Sequence, residues 1–381
     1  MTKSSVKFIV LAFLIWRFGL FVILYFAQRF LSLQLNFLGG GAVNYLTNPF
    51  FWAWDNFDGQ HYVNIAQNGY GFGEYTFFPF YSILIKFFGN LLGGGLFSLN
   101  LAGQLISNSA FLISLFGFYK LARLDFSERI SKISVIILLL FPTSFYFAAV
   151  YTESIFFAIL MWSFYFARKK NYLPASILGL FATATRPIGI FIFPAFIIEW
   201  YLHRKKTENI IKVFPWSLTV IPVGLLSYMY YLKIHIGNAL AFFSEQVYVG
   251  EHRSSHLILL PQVIYRYVFK IFPSLNPLYF PGVFFTVLEF AVGIVYFVVS
   301  LVLFFTTRFS YALFAFLAYL TPTFLGSFSS QPRYVLILFP VYFILAKYLA
   351  RSKIYLFAFC LISFILLVIS FSLFARGYWI S

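Results

Sequence analysis

Two aspartates stand three positions apart in a strongly aromatic segment, FWAWDNFDGQHYVNIAQNGYGFGEYTFFPFY at residues 51–81. On a helical turn Asp55 and Asp58 share one face. A carboxylate in this setting can serve as the general base that removes the proton of an incoming hydroxyl group. Asp58 can equally be the residue that caps a helix running through HYVNIAQ. His61 can orient the carboxylate, or it can simply pack or bond to the backbone.

Four further charged residues stand alone among apolar neighbours. They are Glu153 in YTESIFF, Arg186 in ATRPIGI, Arg333 in SSQPRYVLILFP and Arg376 in ARGYW. Arginine suits a phosphate group, because its planar guanidinium donates two hydrogen bonds and keeps its charge. Glu153 either caps the start of a helix or positions a reacting group. These residues are therefore candidates to bind a substrate near the aspartates.

The composition indicates which elements position these residues. Of the 381 residues 61% are hydrophobic, 24% aromatic and only 10% charged, whereas about a quarter are charged in ordinary soluble domains. The chain is therefore predicted to be an all-α integral membrane protein. Lys and Arg outnumber Asp and Glu by 27 to 11, which in such a protein marks cytoplasmic loops and not a nucleic-acid partner. The single cysteine excludes a disulfide within the chain.

Apolar runs of spanning length predict about eleven transmembrane helices. The stretch 172–202 has basic clusters at both ends, so it is predicted to be a hairpin that turns near Arg186 and Pro187. FFPFYSILIKFFGNLL at 77–92 is assigned to an interfacial helix on the outer leaflet. The remaining spans are predicted at 6–30, 99–119, 133–150, 153–168, 213–234, 283–305, 310–328, 334–350 and 354–374.

This arrangement gives a single integral membrane domain, 1–381, with a cytoplasmic N-terminus and an external C-terminus. Its first outer loop is 32–98, and its second large outer loop is 235–282. Carboxylates and isolated arginines then gather on the outer face. Because unpaired charges are costly at a lipid boundary, we expect a functional cavity there. The alternative for Arg186 and Arg333 is anchoring to lipid headgroups.

Two other sets of charged residues receive a simpler interpretation. Arg17 lies inside the first span and is predicted to pair with a carboxylate such as Glu289. Glu251, His252 and His256 raise a metal hypothesis, because histidines four apart on a helix share a face. Their order differs from the HExxH pattern. We therefore predict no metal site and no other cofactor.

Ordered motifs along the whole chain carry a resemblance to a known family. FDGQHYVNIAQNGY with FFPFYSILIK, then YTESIFF, ATRPIGI, QPRYVLILFP and RGYW resemble the signatures of the PIG-V type mannosyltransferases (GPI mannosyltransferase 2-like), members of the GT-C glycosyltransferase superfamily. The family's Trp-Asp-Gly reads Phe57-Asp58-Gly59 here, while a Trp-Asp pair also stands at Trp54-Asp55. Both aspartates remain candidates for the base.

The resemblance implies a GT-C fold and a membrane enzyme that uses a polyprenyl-phosphate-linked sugar as donor. It would move a hexose, with mannose expected, to an acceptor hydroxyl on the non-cytoplasmic face. Asp58 or Asp55 would be the base, and Arg186 and Arg333 would face the departing phosphate. The expected substrate-binding set is completed by His61, Glu153, Tyr334 and Arg376. One in-line displacement would invert the anomeric centre without a protein nucleophile.

Other assignments stay open at this level. The acceptor can be a lipid, a glycan or a protein. A transporter or lipid flippase could also carry a charged outer cavity, although it should have discontinuous helices at the midplane and often two related halves. The expected location is the cell membrane in a prokaryote or the endoplasmic reticulum membrane in a eukaryote.

Overall fold

The protein is built from helices. The computed structural model describes residues 1–204, 214–248 and 256–380, and these contain no β-strand. The longer helices are α1 (Lys3–Phe30), α2 (Asp58–Asn68), α3 (Pro79–Leu91), α4 (Leu96–Ala122), α5 (Glu128–Leu140), α6 (Glu153–Arg168), α7 (Tyr172–Thr185), α8 (Ile192–His203), α9 (Val223–Ile236), α10 (Phe280–Thr306), α11 (Phe309–Thr323), α12 (Phe339–Leu349) and α13 (Lys353–Ala375). The short helical turns are Gly41–Thr47, Pro49–Trp52, Ala53–Asp55, Ser144–Phe147, Pro187–Phe191, Trp216–Val220, Ala241–Ser244, Glu245–Tyr248, Leu260–Arg266, Tyr267–Ile271, Phe272–Ser274, Gln331–Tyr334 and Val335–Ile337. The all-α prediction is confirmed.

Several of these helices are long and apolar enough to cross a membrane. Within the described ranges there are five, namely α1, α4, Trp216–Ile236, α10 and α13. A sixth arises if Gln331–Ile337 and α12 form one bent span. The chain is thus an integral multi-pass membrane protein. The number of about eleven spans stays a prediction.

The bundle is interrupted where the sequence predicts continuous spans. α5 ends at Leu140, two residues before a proline, and a buried irregular segment leads from there to α6. The segment Gln331–Ile337 makes an angle of 82° with α12. Proline has no backbone N–H to donate within a helix, and it disfavours the helical conformation at the residue before it. The predicted spans 133–150 and 334–350 are therefore wrong in their bounds.

The first outer loop docks onto one of these interruptions. The N–H of Val150 donates to the carbonyl of Trp54 at 2.8 Å, and the hydroxyl of Tyr151 donates to the carbonyl of Asn56 at 2.9 Å. Non-helical backbone at membrane depth is tolerated when protein groups satisfy it in this way. The loop is therefore a packed layer over the bundle. Whether α3 lies at the membrane interface stays a prediction.

The predicted hairpin at 172–202 is confirmed by its ion pairs. Arg168, just before α7, lies 3.3 Å from Glu199 near the end of α8, measured from Nε to Oε1. Arg186, between these helices, instead pairs with Glu153 at the opposite end of α6. Because α6 has 16 residues, its two ends lie about 24 Å apart at 1.5 Å per residue. We call the end near Arg168 the basic end and the end near Glu153 the site end.

Arg17 does not pair with Glu289, so that prediction is wrong. Its guanidinium carbon lies 3.7 Å from the centroid of a Trp54 ring and 4.4 Å from that of Phe21. Cation–π contacts with Trp54 of the first loop and with Phe21 of α1 thus take the place of an ion pair. Glu289 instead accepts hydrogen bonds from the Tyr267 hydroxyl at 3.0 Å and from the Ser330 N–H at 3.3 Å.

Candidate active site

Two carboxylates and two guanidiniums meet in one buried cluster at the site end. Arg333 donates from Nη1 to Oδ2 of Asp58 at 2.6 Å, and its Nε lies 3.3 Å from Oε1 of Glu153. Arg186 donates from Nη1 to the same Glu153 oxygen at 3.0 Å. All four residues are less than 9% exposed. Their alternating charges sum to zero, which is the arrangement that makes buried ions tolerable.

Asp58 is the first residue of α2, and the residue before it has a strained backbone. Phe57 has a φ of +58°, which is rare for a residue other than glycine and costs about 1–3 kcal/mol. Its ring lies 5.1 Å from that of Trp379 and 5.7 Å from that of Phe374, and this packing holds the conformation. No side chain caps α2. Asp58 therefore does not have its alternative role as an N-cap.

Glu153 and Arg186 also stand at helix boundaries. Glu153 begins α6, yet its carboxylate contacts arginines, and α6 has no side-chain cap. Arg186 is extended, with φ −151° and ψ 142°, because Pro187 disfavours helix at the preceding residue. This break between α7 and the next helical turn directs the guanidinium toward Glu153.

Arg333 is carried by the short helix Gln331–Tyr334, which is bent away from α12. The preceding residue, Ser330, has a φ of +66°, a second strained position next to the cluster. The guanidinium of Arg333 faces aromatic rings at 5.5, 5.4 and 5.3 Å, those of Tyr146, Tyr151 and Tyr334. The Tyr334 ring also lies 5.3 Å from the Arg186 guanidinium, so it contacts both cations.

A cavity of about 150 Å³ opens beside the cluster, and we call it the cationic cavity. The four charged residues and Tyr334 line it. Most of the remaining wall is apolar and includes Phe77, Phe78, Ile188, Phe242, Pro322 and Leu325. A cavity with fixed guanidiniums and a hydrocarbon wall fits an amphiphile that has an anionic head.

A second cavity of about 480 Å³ lies on the other side of Asp58, and we call it the aromatic cavity. Its rings are those of Phe37, Phe57, Tyr248, Tyr279, Tyr378 and Trp379. Gln34, Asn36 and His61 add polar groups. Within the described ranges, Asp58 alone lines both cavities. A carboxylate in this position can take a proton from a group in one cavity while a second substrate occupies the other.

His61 forms a polar pair with Glu74 at the edge of the aromatic cavity. His61 Nδ1 lies 3.1 Å from Glu74 Oε1, and Glu74 also accepts from Asn64 and from the Gly71 N–H, each at 2.8 Å. Burial by itself raises the pKa of Glu74. The three hydrogen bonds lower this pKa by more than burial raises it, so the net shift is downward. Burial lowers the pKa of His61, but Glu74 and Asp58 raise it, so the net shift is upward. The sequence motifs do not single out Glu74. Its contact with His61 joins residues 13 positions apart, and it forms only when the loop after α2 folds back.

Asp55 lies away from the cationic cavity. It is 1% exposed and sits near the Asn100 side chain and the Gly40 N–H. Burial raises the pKa of Asp55 well above its ordinary value of 3.8, although these two neighbours lower it. A raised pKa disfavours the charged form that a base needs. Asp55 also lines neither the cationic nor the aromatic cavity, whereas Asp58 lines both, so the geometry favours Asp58 over Asp55.

Arg376 also lies outside the cationic cavity. Its Nε donates to the carbonyl of Leu31 at 3.0 Å, and its Nη1 bonds to the Gln28 side chain. The N–H of Gln34 in turn donates to the carbonyl of Arg376 at 2.9 Å. These bonds fasten the C-terminal segment to the end of α1. Arg376 thus has structural contacts here, and its role in substrate binding stays a prediction.

Two of the three residues in the metal hypothesis, Glu251 and His252, lie outside the described ranges, because they belong to 249–255. Among the residues that are described, no three His, Cys, Asp or Glu side chains are grouped as metal ligands. The predicted absence of a metal stays a prediction.

Comparison with protein families gives a match in the first half of the chain. The model of the family described as Mannosyltransferase (PIG-V) matches residues 3–191. This range contains Asp58, Glu153 and Arg186, whereas Arg333 lies beyond it. A comparison with curated proteins finds no match.

Two solved structures match this chain. The crystal structure of ArnT from Cupriavidus metallidurans bound to undecaprenyl phosphate has a TM-score of 0.52 at 15% identity, covering 95% of this chain and 63% of that one. The apo crystal structure of the Archaeoglobus fulgidus oligosaccharyltransferase has a TM-score of 0.42 at 14% identity, covering 86% and 52%. This chain thus spans less than two thirds of the length of either. The likeness to ArnT confirms the expected GT-C fold.

Proposed function

We propose that the protein is a membrane glycosyltransferase of the mannosyltransferase (PIG-V) type, the family whose model matches residues 3–191. It moves a hexose, with mannose favoured by the family, from a polyprenyl-phosphate donor to an acceptor hydroxyl. The reaction takes place on the non-cytoplasmic face. The observation that carries this proposal is the position of Asp58, which lines both cavities and bonds to Arg333.

The donor binds in the cationic cavity. Its phosphate accepts hydrogen bonds from Arg186 and Arg333, which stabilise the negative charge that grows as the sugar leaves. Its polyprenyl chain follows the apolar wall. ArnT, whose structure holds undecaprenyl phosphate, supports a carrier of this class for the shared fold.

The acceptor hydroxyl approaches Asp58 from the aromatic cavity. The carboxylate takes the hydroxyl proton while the oxygen attacks the anomeric carbon, and the carbon–oxygen bond to the phosphate breaks. The leaving group is the polyprenyl phosphate, which keeps the bonding electron pair. A single displacement of this kind inverts the anomeric centre.

The Asp58–Arg333 bond links donor binding to the base. When a phosphate takes over as the partner of Arg333, the Asp58 carboxylate loses a strong hydrogen bond and becomes the better proton acceptor. Glu153 keeps both guanidiniums in place during this exchange, because its Oε1 lies within 3.3 Å of both. Glu153 is thus a positioning residue for the two arginines.

Purified protein in liposomes and individual radiolabelled polyprenyl-phosphate sugars test the proposal. We expect one of these donors to be consumed, with the label moved to an acceptor or slowly to water. Consumption of none of them, in a preparation that is folded, contradicts the proposed function.

The rival function is a lipid transporter or flippase. The helix interruptions at 141–152, at Arg186 and at Leu338 are the feature that favours it, since transporters place broken helices around their sites. The two functions differ in their products. A flippase moves the intact donor across a liposome membrane, whereas the proposed enzyme breaks its sugar–phosphate bond.

A further inference from the structure

The wall of the cationic cavity has polar groups that the proposed reaction does not use. Among the described residues, four threonines line it, namely Thr76, Thr152, Thr185 and Thr321. Thr185 and Thr321 donate to carbonyls of their own helices at 2.6 and 2.9 Å, and Thr152 pairs with the Tyr62 hydroxyl at 3.4 Å. The hydroxyl of Thr76 differs from these, because it is buried and has no hydrogen-bond partner.

The backbone on both sides of Thr76 is held in place. The carbonyl of Tyr75 accepts from the Tyr228 hydroxyl at 2.8 Å, and the carbonyl of Phe77 accepts from the Tyr70 hydroxyl at 2.7 Å. A buried hydroxyl without a partner is unfavourable unless a ligand or water bonds to it. Because the segment is already fixed, a ligand that bonds to Thr76 has little ordering entropy to overcome.

Glu153 adds a second unpaired group to the same cavity. Its Oε1 serves both guanidiniums, with Arg186 at 3.0 Å and Arg333 at 3.3 Å. Its Oε2 is buried and has no hydrogen-bond partner, and the residue is only 1% exposed. A carboxylate oxygen accepts hydrogen bonds and cannot donate them. Oε2 therefore needs a donor group, which the phosphate that links sugar and lipid does not have.

The proposed reaction places a sugar next to these two groups. The anomeric carbon must lie between the phosphate oxygen that leaves and the hydroxyl oxygen that attacks. The phosphate lies at the two arginines and the attacking hydroxyl at Asp58, so the sugar ring occupies the part of the cationic cavity beside them. Thr76 and Glu153 line this cavity as well. A sugar hydroxyl can both donate and accept, so the ring supplies what both groups lack.

We propose that Thr76 and Glu153 determine the specificity for the donor sugar. Oε2 of Glu153 accepts a hydrogen bond from one sugar hydroxyl, and the Thr76 hydroxyl bonds to another. Both contacts are made to the sugar and not to the phosphate of its carrier. A site of this kind rejects an analogue without the hydroxyl, because a buried protein group is then left unpaired. This inference rests on the proposed function.

The test uses the full-length protein in liposomes with the polyprenyl-phosphate sugar that the donor assay identifies. It is compared with analogues of this donor that each lack one sugar hydroxyl. We expect the wild-type protein to have a kcat/KM about 10²-fold lower for the analogue that cannot bond to the Glu153 carboxylate, because hydrogen bonds to charged groups are the stronger ones. For the analogue that cannot bond to Thr76 we expect a loss of about tenfold.

Substitutions then assign each hydroxyl to its partner. Thr76→Val removes the hydroxyl group and keeps the shape, so it should lower kcat/KM about tenfold for the complete donor and leave it unchanged for one analogue. Glu153→Gln should weaken the discrimination against a different analogue about tenfold, since a neutral amide bonds less strongly than a carboxylate. Comparing each variant with the wild type on the same analogue cancels the differences in intrinsic reactivity among the analogues.

Two controls separate this role from a structural one. Thr76→Ser keeps the hydroxyl and should retain the discrimination against every analogue. Thr321→Val should retain it too, because the Thr321 hydroxyl lines the same cavity but bonds within its own helix. Polyprenyl phosphate without a sugar, used as a competitive inhibitor, should bind equally well to the wild type and to Thr76→Val. Weaker inhibition of Thr76→Val would assign Thr76 to the phosphate and overturn its contact with the sugar.

The remaining outcomes separate this inference from the proposed function. If the wild-type protein uses every analogue as well as the complete donor, the inference is wrong, and this result needs no variant. It is also wrong if Thr76→Val and Glu153→Gln both keep the full discrimination. A change in only one of the variants overturns the contact of the other residue. If the wild-type protein consumes no donor at all, the proposed function itself fails.

Discussion

Arg333 donates a 2.6 Å hydrogen bond to Asp58 although 275 positions separate the two residues in the chain. A non-glycine residue with positive φ stands shortly before each of them, Phe57 directly before Asp58 and Ser330 three positions before Arg333. Strained backbone persists only where the surrounding structure fixes it, and it concentrates at functional sites. The two strained positions bring a carboxylate and a guanidinium together between the cationic and aromatic cavities.

Replacement of the proposed base should abolish transfer. Asp58→Asn keeps the size of the side chain but cannot take up the acceptor proton, and general bases contribute about 10²- to 10⁴-fold to rates. We expect kcat to fall by at least about 10²-fold while the donor still binds. Transfer of radiolabel and retention of labelled donor on the liposomes measure the two effects.

Asp55→Asn is the matched control for this substitution. Because Asp55 lines neither the cationic nor the aromatic cavity and burial raises its pKa well above 3.8, an amide of the same shape should preserve most of the activity. Normal transfer by Asp58→Asn together with inactivity of Asp55→Asn would move the base to Asp55.

Arg333→Lys should weaken donor binding. Lysine keeps the positive charge but loses the planar fork that contacts Asp58 and Glu153 at once and that suits a phosphate. We expect the donor KM to rise about tenfold, measured at saturating acceptor. Arg376→Lys provides the comparison, since Arg376 bonds to the end of α1, and its donor KM should match that of the wild type. Equal effects of both substitutions would argue for a general loss of folding.

The His61–Glu74 pair should make stability depend on pH. The pKa of His61 is raised above 6.5 in the folded protein, so its contribution is complete below about pH 6.5 and is lost as the pH rises through the raised value. The pKa of Glu74 is lowered below 4.5, so its contribution is complete above about pH 4.5 and is lost on further acidification. Between these limits both contributions are present.

Thermal unfolding of the protein in detergent across this pH range checks that expectation. The unfolding temperature should decline above about pH 6.5, and His61→Gln should remove this decline. His61 is partly exposed, so solvent screening keeps the effect small. His235→Gln is the control, because the Nδ1 of His235 bonds to the carbonyl of Tyr231 with no acidic partner in that contact. A decline that persists in His61→Gln would assign it to another group.

Part of this architecture could be predicted from the sequence. The apolar runs predict helices, the basic clusters around 172–202 predict the hairpin, and the motifs predict that Asp58, Glu153 and Arg333 belong together. A run of apolar residues, however, looks the same whether it forms a helix or a buried irregular segment. This is why the predicted span 133–150 extends past the end of α5.

The pairing of side chains could not be predicted in the same way. The sequence predicts a carboxylate partner for Arg17, but the first loop brings Trp54 to it, and Phe21 of the same helix provides a second ring. Glu74 lacks a sequence signal as well, because its contacts with His61, Asn64 and Gly71 form only when the loop after α2 folds back on that helix. Sequence therefore indicates which residue types are available, and the fold determines which of them meet.

Opposite ends of the bundle should be labelled from opposite sides of the membrane. Phe72 is 80% exposed in the first loop at the site end, whereas Lys169 follows Arg168 at the basic end, which the positive-inside rule places in the cytoplasm. In a Cys360→Ser background, a membrane-impermeant maleimide added to intact cells should label the Phe72→Cys variant and not the Lys169→Cys variant. Permeabilised cells should show labelling of both, which controls for access. Labelling of Lys169→Cys alone in intact cells would place the cationic cavity on the cytoplasmic face, and the proposed donor would then have to be presented from the cytoplasmic leaflet.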